Sequence, residues 1–202
     1  MMLRDVVLLF PLVAVACSDP PYSTTGHDIT KYITLDVWLL YGFNDGVQRE
    51  ILEVEPGEDR WELGWSEEVG GPLTRGLVVI ADNQGLSVEA AWQGGEWVAM
   101  DPPVSLGTRS MVAGQSVQSL ATWGGKSVAW TTTLVGFETV TTPYNEPDVP
   151  FVDVARLVWD DGGVNTGLSG TYLFASGIGP VGYQREGSTE FLLDETGDGS
   201  DP

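Results

Sequence analysis

From Tyr32 to Leu193 short runs rich in β-branched and aromatic residues are separated by clusters of Gly, Pro, Asn and Asp. Runs of this composition at this spacing predict strands joined by turns. Twelve segments qualify: residues 32–41, 47–54, 60–65, 77–81, 86–92, 97–100, 116–122, 128–140, 152–159, 171–175, 181–185 and 189–193. Period-two alternation places Trp61, Leu63 and Trp65 on one face against Arg60, Glu62 and Gly64. The same reading sets Val88, Ala90 and Trp92 against Ser87, Glu89 and Ala91. One apolar and one polar face per strand predicts a half-buried antiparallel sheet. Gly94-Gly95, Gly124-Gly125 and Gly162-Gly163 supply the positive φ that tight turns need, and the first two pairs follow Trp-Gln and Trp. Helical periodicity is confined to a turn or two near 28–31, so the mature chain is expected to be all-β.

The N-terminus departs from this pattern. After Arg4 and Asp5 comes an apolar run over 6–16, broken by Pro11 and ending at Cys17. It is too short for a bilayer-spanning helix, which needs about 20 residues, but suits a secretory signal. Val13-Ala14-Val15-Ala16-Cys17 resembles the lipobox of bacterial lipoproteins. The resemblance implies cleavage before Cys17, acylation of its thiol and, with Ser18 next, retention at the outer membrane. The expected organisation is therefore a signal over 1–16, a flexible tether over 17–31 containing Pro20-Pro21, an all-β domain over 32–194, and a disordered acidic tail over 195–202.

Charge narrows the set of partners. With 29 Asp and Glu against 9 Lys and Arg the net charge is −20. Such a chain repels nucleic-acid backbones and anionic headgroups, so no nucleic-acid partner is expected, and membrane attachment must come from acyl chains on Cys17. One Cys excludes a disulfide and one His excludes a cysteine-histidine zinc site, so no metal or cofactor is expected. His27, the sole imidazole, lies in the expected tether, which leaves no Ser-His-acid arrangement. Adjacent acids Glu67-Glu68 and Asp160-Asp161 beside turns read as solvated loops, and Glu138 in an apolar run reads as a structural carboxylate. The tail from Asp194 to Gly199 carries part of a Ca²⁺ loop but no acid at its twelfth position. No catalytic residue is assigned. Most of the eight Trp are expected in the core; Trp92 and Trp97, flanking a tight turn, are the candidates for exposure and ligand stacking.

The second half carries a further likeness. Asp101-Pro102-Pro103-Val104, Gly136-Phe137-Glu138-Thr139-Val140, Gly170-Thr171-Tyr172-Leu173-Phe174-Ala175 and Gly177-Ile178-Gly179-Pro180-Val181 resemble a family of bacterial envelope lipoproteins of unassigned role. The resemblance implies a single antiparallel sheet curved strongly into a half-barrel or open barrel. The expected function is a non-catalytic, lipid-anchored binding module of the cell envelope, holding a lipid, glycan or peptide in the concave face. The alternative is a structural or assembly lipoprotein acting through an envelope-protein partner, and a carboxylate-based glycan hydrolase ranks last.

Overall fold

The computed structural model describes residues 26–33, 38–144, 149–185 and 187–197. Cys17, the signal segment and the tail beyond Gly197 lie outside the described residues. A helical turn α1 (Thr30–Ile33) precedes the strands β1 (Leu39–Asn44), β2 (Arg49–Pro56), β3 (Arg60–Ser66), β4 (Arg75–Ala81), β5 (Gly85–Gln93) and β6 (Glu96–Thr108). Then follow β7 (Ser116–Trp123), β8 (Lys126–Val140), β9 (Phe151–Asp160), β10 (Gly170–Ala175), β11 (Gly179–Arg185) and β12 (Glu190–Gly197). Each strand pairs antiparallel with its neighbours in sequence and β12 returns to β1, from Leu40↔Gly197 to Asn44↔Leu192. The half-barrel or open barrel is thus corrected to a closed twelve-stranded barrel. Closure satisfies both outer edges that an open sheet would leave unpaired.

A barrel of this strand number encloses more volume than an eight-stranded one, and ordinary aliphatic side chains would leave it hollow. Aromatic residues occupy the space. Trp65, Trp123, Trp130, Trp159, Tyr41 and Tyr183 are all essentially without solvent contact. Rings on neighbouring strands form a ladder around half the wall. Trp130 lies 6.4 Å from Trp159, Trp159 is 3.9 Å from Tyr172, Tyr172 is 6.0 Å from Tyr183, and Tyr183 is 5.2 Å from Phe191. Such cross-strand aromatic pairs add to the burial of their area. Outward positions of β7 and β8 are polar or small: Ser116, Gln118, Thr122, Ser127 and Ala129 are exposed, with Leu120 among them. A bilayer-spanning barrel needs the reverse arrangement, an apolar outer band. No helix among the described residues is long and apolar enough to cross a membrane.

Four local readings are corrected. The expected first strand over 32–41 divides into α1 and the later β1, and the expected tether over 17–31 ends early. Ile29, Tyr32 and Ile33 are buried and plug one mouth of the barrel. His27 bridges Met111 through two backbone hydrogen bonds and lies tilted against Phe137 at 4.1 Å, while Gly177 N donates to Lys31 O. Residues 195–197 of the expected tail belong to β12 and pair with β1. Finally, Val88, Ala90 and Trp92 do not share a face. A bulge at Glu89 pairs Val79 with Val88 and Val78 with Ala90, so Val88 and Ala91 point inward while Ala90 and Trp92 point outward. One inserted residue exchanges the two faces of everything beyond it.

β6 extends through Pro102-Pro103, where no N–H is available, and its ladder with β7 consists of Met100↔Trp123 and Asp101↔Thr122. Beyond it side chains join the strands. Ser105 N donates to Ser119 Oγ at 3.1 Å, Thr132 Oγ1 donates to Ser105 O at 2.8 Å, and Trp130 Nε1 donates to Thr132 Oγ1 at 2.9 Å.

Buried phenols give the fold an alkaline limit. Tyr32 is pushed from 10.0 up to about 12, first by burial and then by Asp153, whose carboxylate accepts its hydroxyl at 3.2 Å. Burial also raises Tyr41, Tyr172 and Tyr183. A raised folded value means that the stabilisation is complete below the unfolded value and lost as pH rises through the folded one. At about pH 11 Tyr32, Tyr41 and Tyr183 are expected to stay un-ionised in the native protein and to ionise when urea is added at that pH. Phenolate absorbance before and after urea checks this; full ionisation before unfolding would contradict it.

Candidate functional site

The mouth opposite the plug carries the charged interior. Alternation in β2 points Glu50 inward in phase with Leu52 and Val54; in β4 it points Arg75 inward with Leu77 and Val79. In β11 it aligns Arg185 with the inward Tyr183. All three reach one point. Arg75 Nη2 donates to Glu50 Oε2 at 2.8 Å, the Tyr183 hydroxyl donates to the same oxygen, and Arg185 Nη2 donates to Glu50 Oε1. The Arg75 guanidinium is sandwiched between aromatic faces, 4.5 Å from the Trp65 ring and 4.8 Å from that of Tyr183. Removing charges from water costs several kcal/mol per ion, and only such close pairing offsets it. Two guanidinium groups against one carboxylate leave the cluster with one excess positive charge.

Above the triad lies a cleft of about 420 Å³, formed by the β9–β10 loop and the β11–β12 turn and lined by Asn165, Gly167, Ser169, Arg185 and Ser188 among others. Asp161 shapes this loop. Its Oδ2 accepts from Thr166 N at 2.6 Å and Thr166 Oγ1 at 2.8 Å, and its Oδ1 accepts from Gly163 N at 3.0 Å. Burial raises its pKa, but these donors outweigh burial and hold the carboxyl below its usual range. These three donors make the carboxylate the centre that holds the loop in shape. Leu168, from the same loop, is buried in the mouth and accepts the Tyr172 hydroxyl at 2.8 Å.

The residues singled out from sequence fall elsewhere. Trp92 and Trp97 stand on the outer wall, half-buried, edge to face at 5.2 Å. Trp92 Nε1 donates to Leu73 O at 3.1 Å, and Trp97 covers Gly76 so closely that a Cβ there would approach it to 2.6 Å. The pair thus pins the β3–β4 loop to the wall. Glu138 pairs with Arg156 at 2.7 Å, and Glu67 and Glu68 are exposed. Cys17, the expected lipidation site, lies outside the described residues. The concave face of the sheet, expected to receive a ligand, is the packed core. Among the described residues no three His, Cys, Asp or Glu side chains converge as metal ligands.

Sequence reasoning passed over Glu50, Arg75 and Arg185. The available signal was phase: each charge continues an inward apolar series at the end of its strand. No family model, curated protein or solved structure matches the chain.

Proposed function

We propose that this chain is a non-catalytic binding protein of the bacterial cell envelope, anchored through acyl chains on Cys17 and taking its ligand at the mouth farthest from that anchor. The observation that carries the reading is polarity. The chain comes into the barrel at the plugged mouth, where residues 27–33 are packed, and the ion triad with its cleft lies at the other. From Cys17 to Gly26 is 26 − 17 = 9 residues, which reach at most about 30 Å. An anchor there holds the plugged mouth toward the bilayer and presents the cleft away from it. Among the described residues the cleft, rather than the filled interior, offers a surface for a small ligand, and its volume is of the size that such sites use.

Cell fractionation tests the anchor. Cys17→Ala is expected to move the protein from the membrane to the soluble fraction; continued membrane retention contradicts it. Mass spectrometry of small molecules co-purifying with the full chain tests the cleft. Ser169→Trp, which fills the cleft beside the triad, is expected to remove them without loss of cooperative unfolding. Unchanged recovery from that variant overturns the assignment.

A further inference from the structure

We propose that the distal cleft recognises a small polar ligand by a carboxylate group docked on Arg185; this rests on the cleft being the ligand site. Of the three triad side chains only Arg185 reaches solvent, 28% exposed against 4% for Arg75 and 6% for Glu50. Its Nη2 holds Glu50, and its Nε, itself buried, has no partner among the described residues. Deeper in the barrel, Arg75 Nε and Nη1 and the Nε1 of Trp65, on whose ring Arg75 lies, also lack acceptors among the described residues. Arg185 thus presents to the cleft a guanidinium that Glu50 engages through one nitrogen.

The chemistry favours a carboxylate over a phosphate. A planar two-oxygen acceptor matches the guanidinium edge, and its single charge equals the excess of the triad. A phosphate monoester would bring about −1.5 to −2 charges beside Asp160 and Asp161. Asp161 stays ionised and turns its oxygens to the loop donors, so its negative charge limits how much further charge the cleft accepts. The rest of the wall is neutral and hydrogen-bonding, with Asn165, Ser169, Ser188 and bare glycine backbone at Gly163 and Gly167. It suits hydroxyls or amides on the body of the ligand.

The test is NMR of arginine Nε–Hε resonances in the full chain in detergent, titrated with acetate, glucuronate, N-acetylalanine, glucose and inorganic phosphate. The Arg185 resonance is expected to shift saturably with at least one carboxylate, not with glucose, and less with phosphate. Arg185→Lys keeps a cation for Glu50 but loses the fork, and is expected to weaken carboxylate binding about tenfold. The proposal is overturned by silence toward all three carboxylates, by tighter phosphate binding, or by unchanged affinity in Arg185→Lys. Should Ser169→Trp abolish co-purified ligand while the carboxylates leave Arg185 unmoved, the cleft stands and the carboxylate assignment fails. If Ser169→Trp also has no effect, both fail.

Discussion

Glu50→Gln is expected to lower the unfolding free energy by about 3–5 kcal/mol, because it removes the only carboxylate between two inward guanidinium groups. Arg75 is the more damaging orphan. It is almost fully buried, its other nitrogens already lack acceptors, and the Tyr183 hydroxyl shares the same lost oxygen. An amide oxygen can replace a hydrogen bond but not the charge. Urea unfolding followed by tryptophan fluorescence should show a lower midpoint with an unchanged slope. The companion variant, Glu50→Leu with Arg75→Met and Arg185→Leu, removes all three charges together. It is expected to be neutral or more stable by about 1–4 kcal/mol, since desolvation no longer opposes the fold. A cost under about 1 kcal/mol for Glu50→Gln would show that the triad does not act as one buried unit. Recovery of stability with loss of carboxylate response in the triple variant would place the triad's value in binding rather than folding.

Trp130→Ala is expected to cost about 3–5 kcal/mol, at the upper range for core truncation. Its ring is fully buried and begins the aromatic ladder toward Trp159. Its Nε1 also supports Thr132, which in turn holds Ser105 across the stretch where β6 and β7 do not ladder. The cavity and the loss of that relay fall on the same stretch of wall. Trp130→Phe separates them: much of the ring volume stays, the donor goes, and a smaller loss of about 1–2 kcal/mol is expected. Amide exchange is the discriminating measurement. In both variants residues 104–108 and 116–120 should exchange faster while the β9–β12 amides stay protected at the global level. Uniform acceleration over the whole barrel would mean that the seam carries no local weakness.

Much of the wall was legible along the chain. Eleven of the twelve expected strands overlap their counterparts over most of their length, and the glycine pairs at 94–95, 124–125 and 162–163 all have positive φ. These features depend on neighbours a few residues apart, where side-chain period and glycine freedom act directly. The first strand was misplaced because residues 30–33 have strand-like composition yet serve as a plug. Ile29, Tyr32 and Ile33 gain burial by capping the aromatic interior, and that gain depends on a mouth which exists only after closure. Trp92 and Trp97, the candidates for exposure and ligand stacking, are half-buried for a similar reason. Gly64 and Gly76 leave a shallow outer groove, which Leu73 and Trp97 fill only once β3, β4 and β6 are aligned.

Short-range pattern along the chain sets the twelve-fold alternation of strand and turn, the antiparallel all-β class, the supply of aromatic volume, and Cys17 as the residue on which anchorage is proposed. Tertiary structure alone decided that the sheet closes, which mouth is plugged, and that Glu50 meets Arg75 and Arg185, 25 and 135 positions away. The physical reason is the range of the forces that set each feature. Alternation and turns are imposed by adjacent residues. Closure, bulge phase and the meeting of buried charges depend on register between distant strands, where a shift of one residue would turn each of those charges outward.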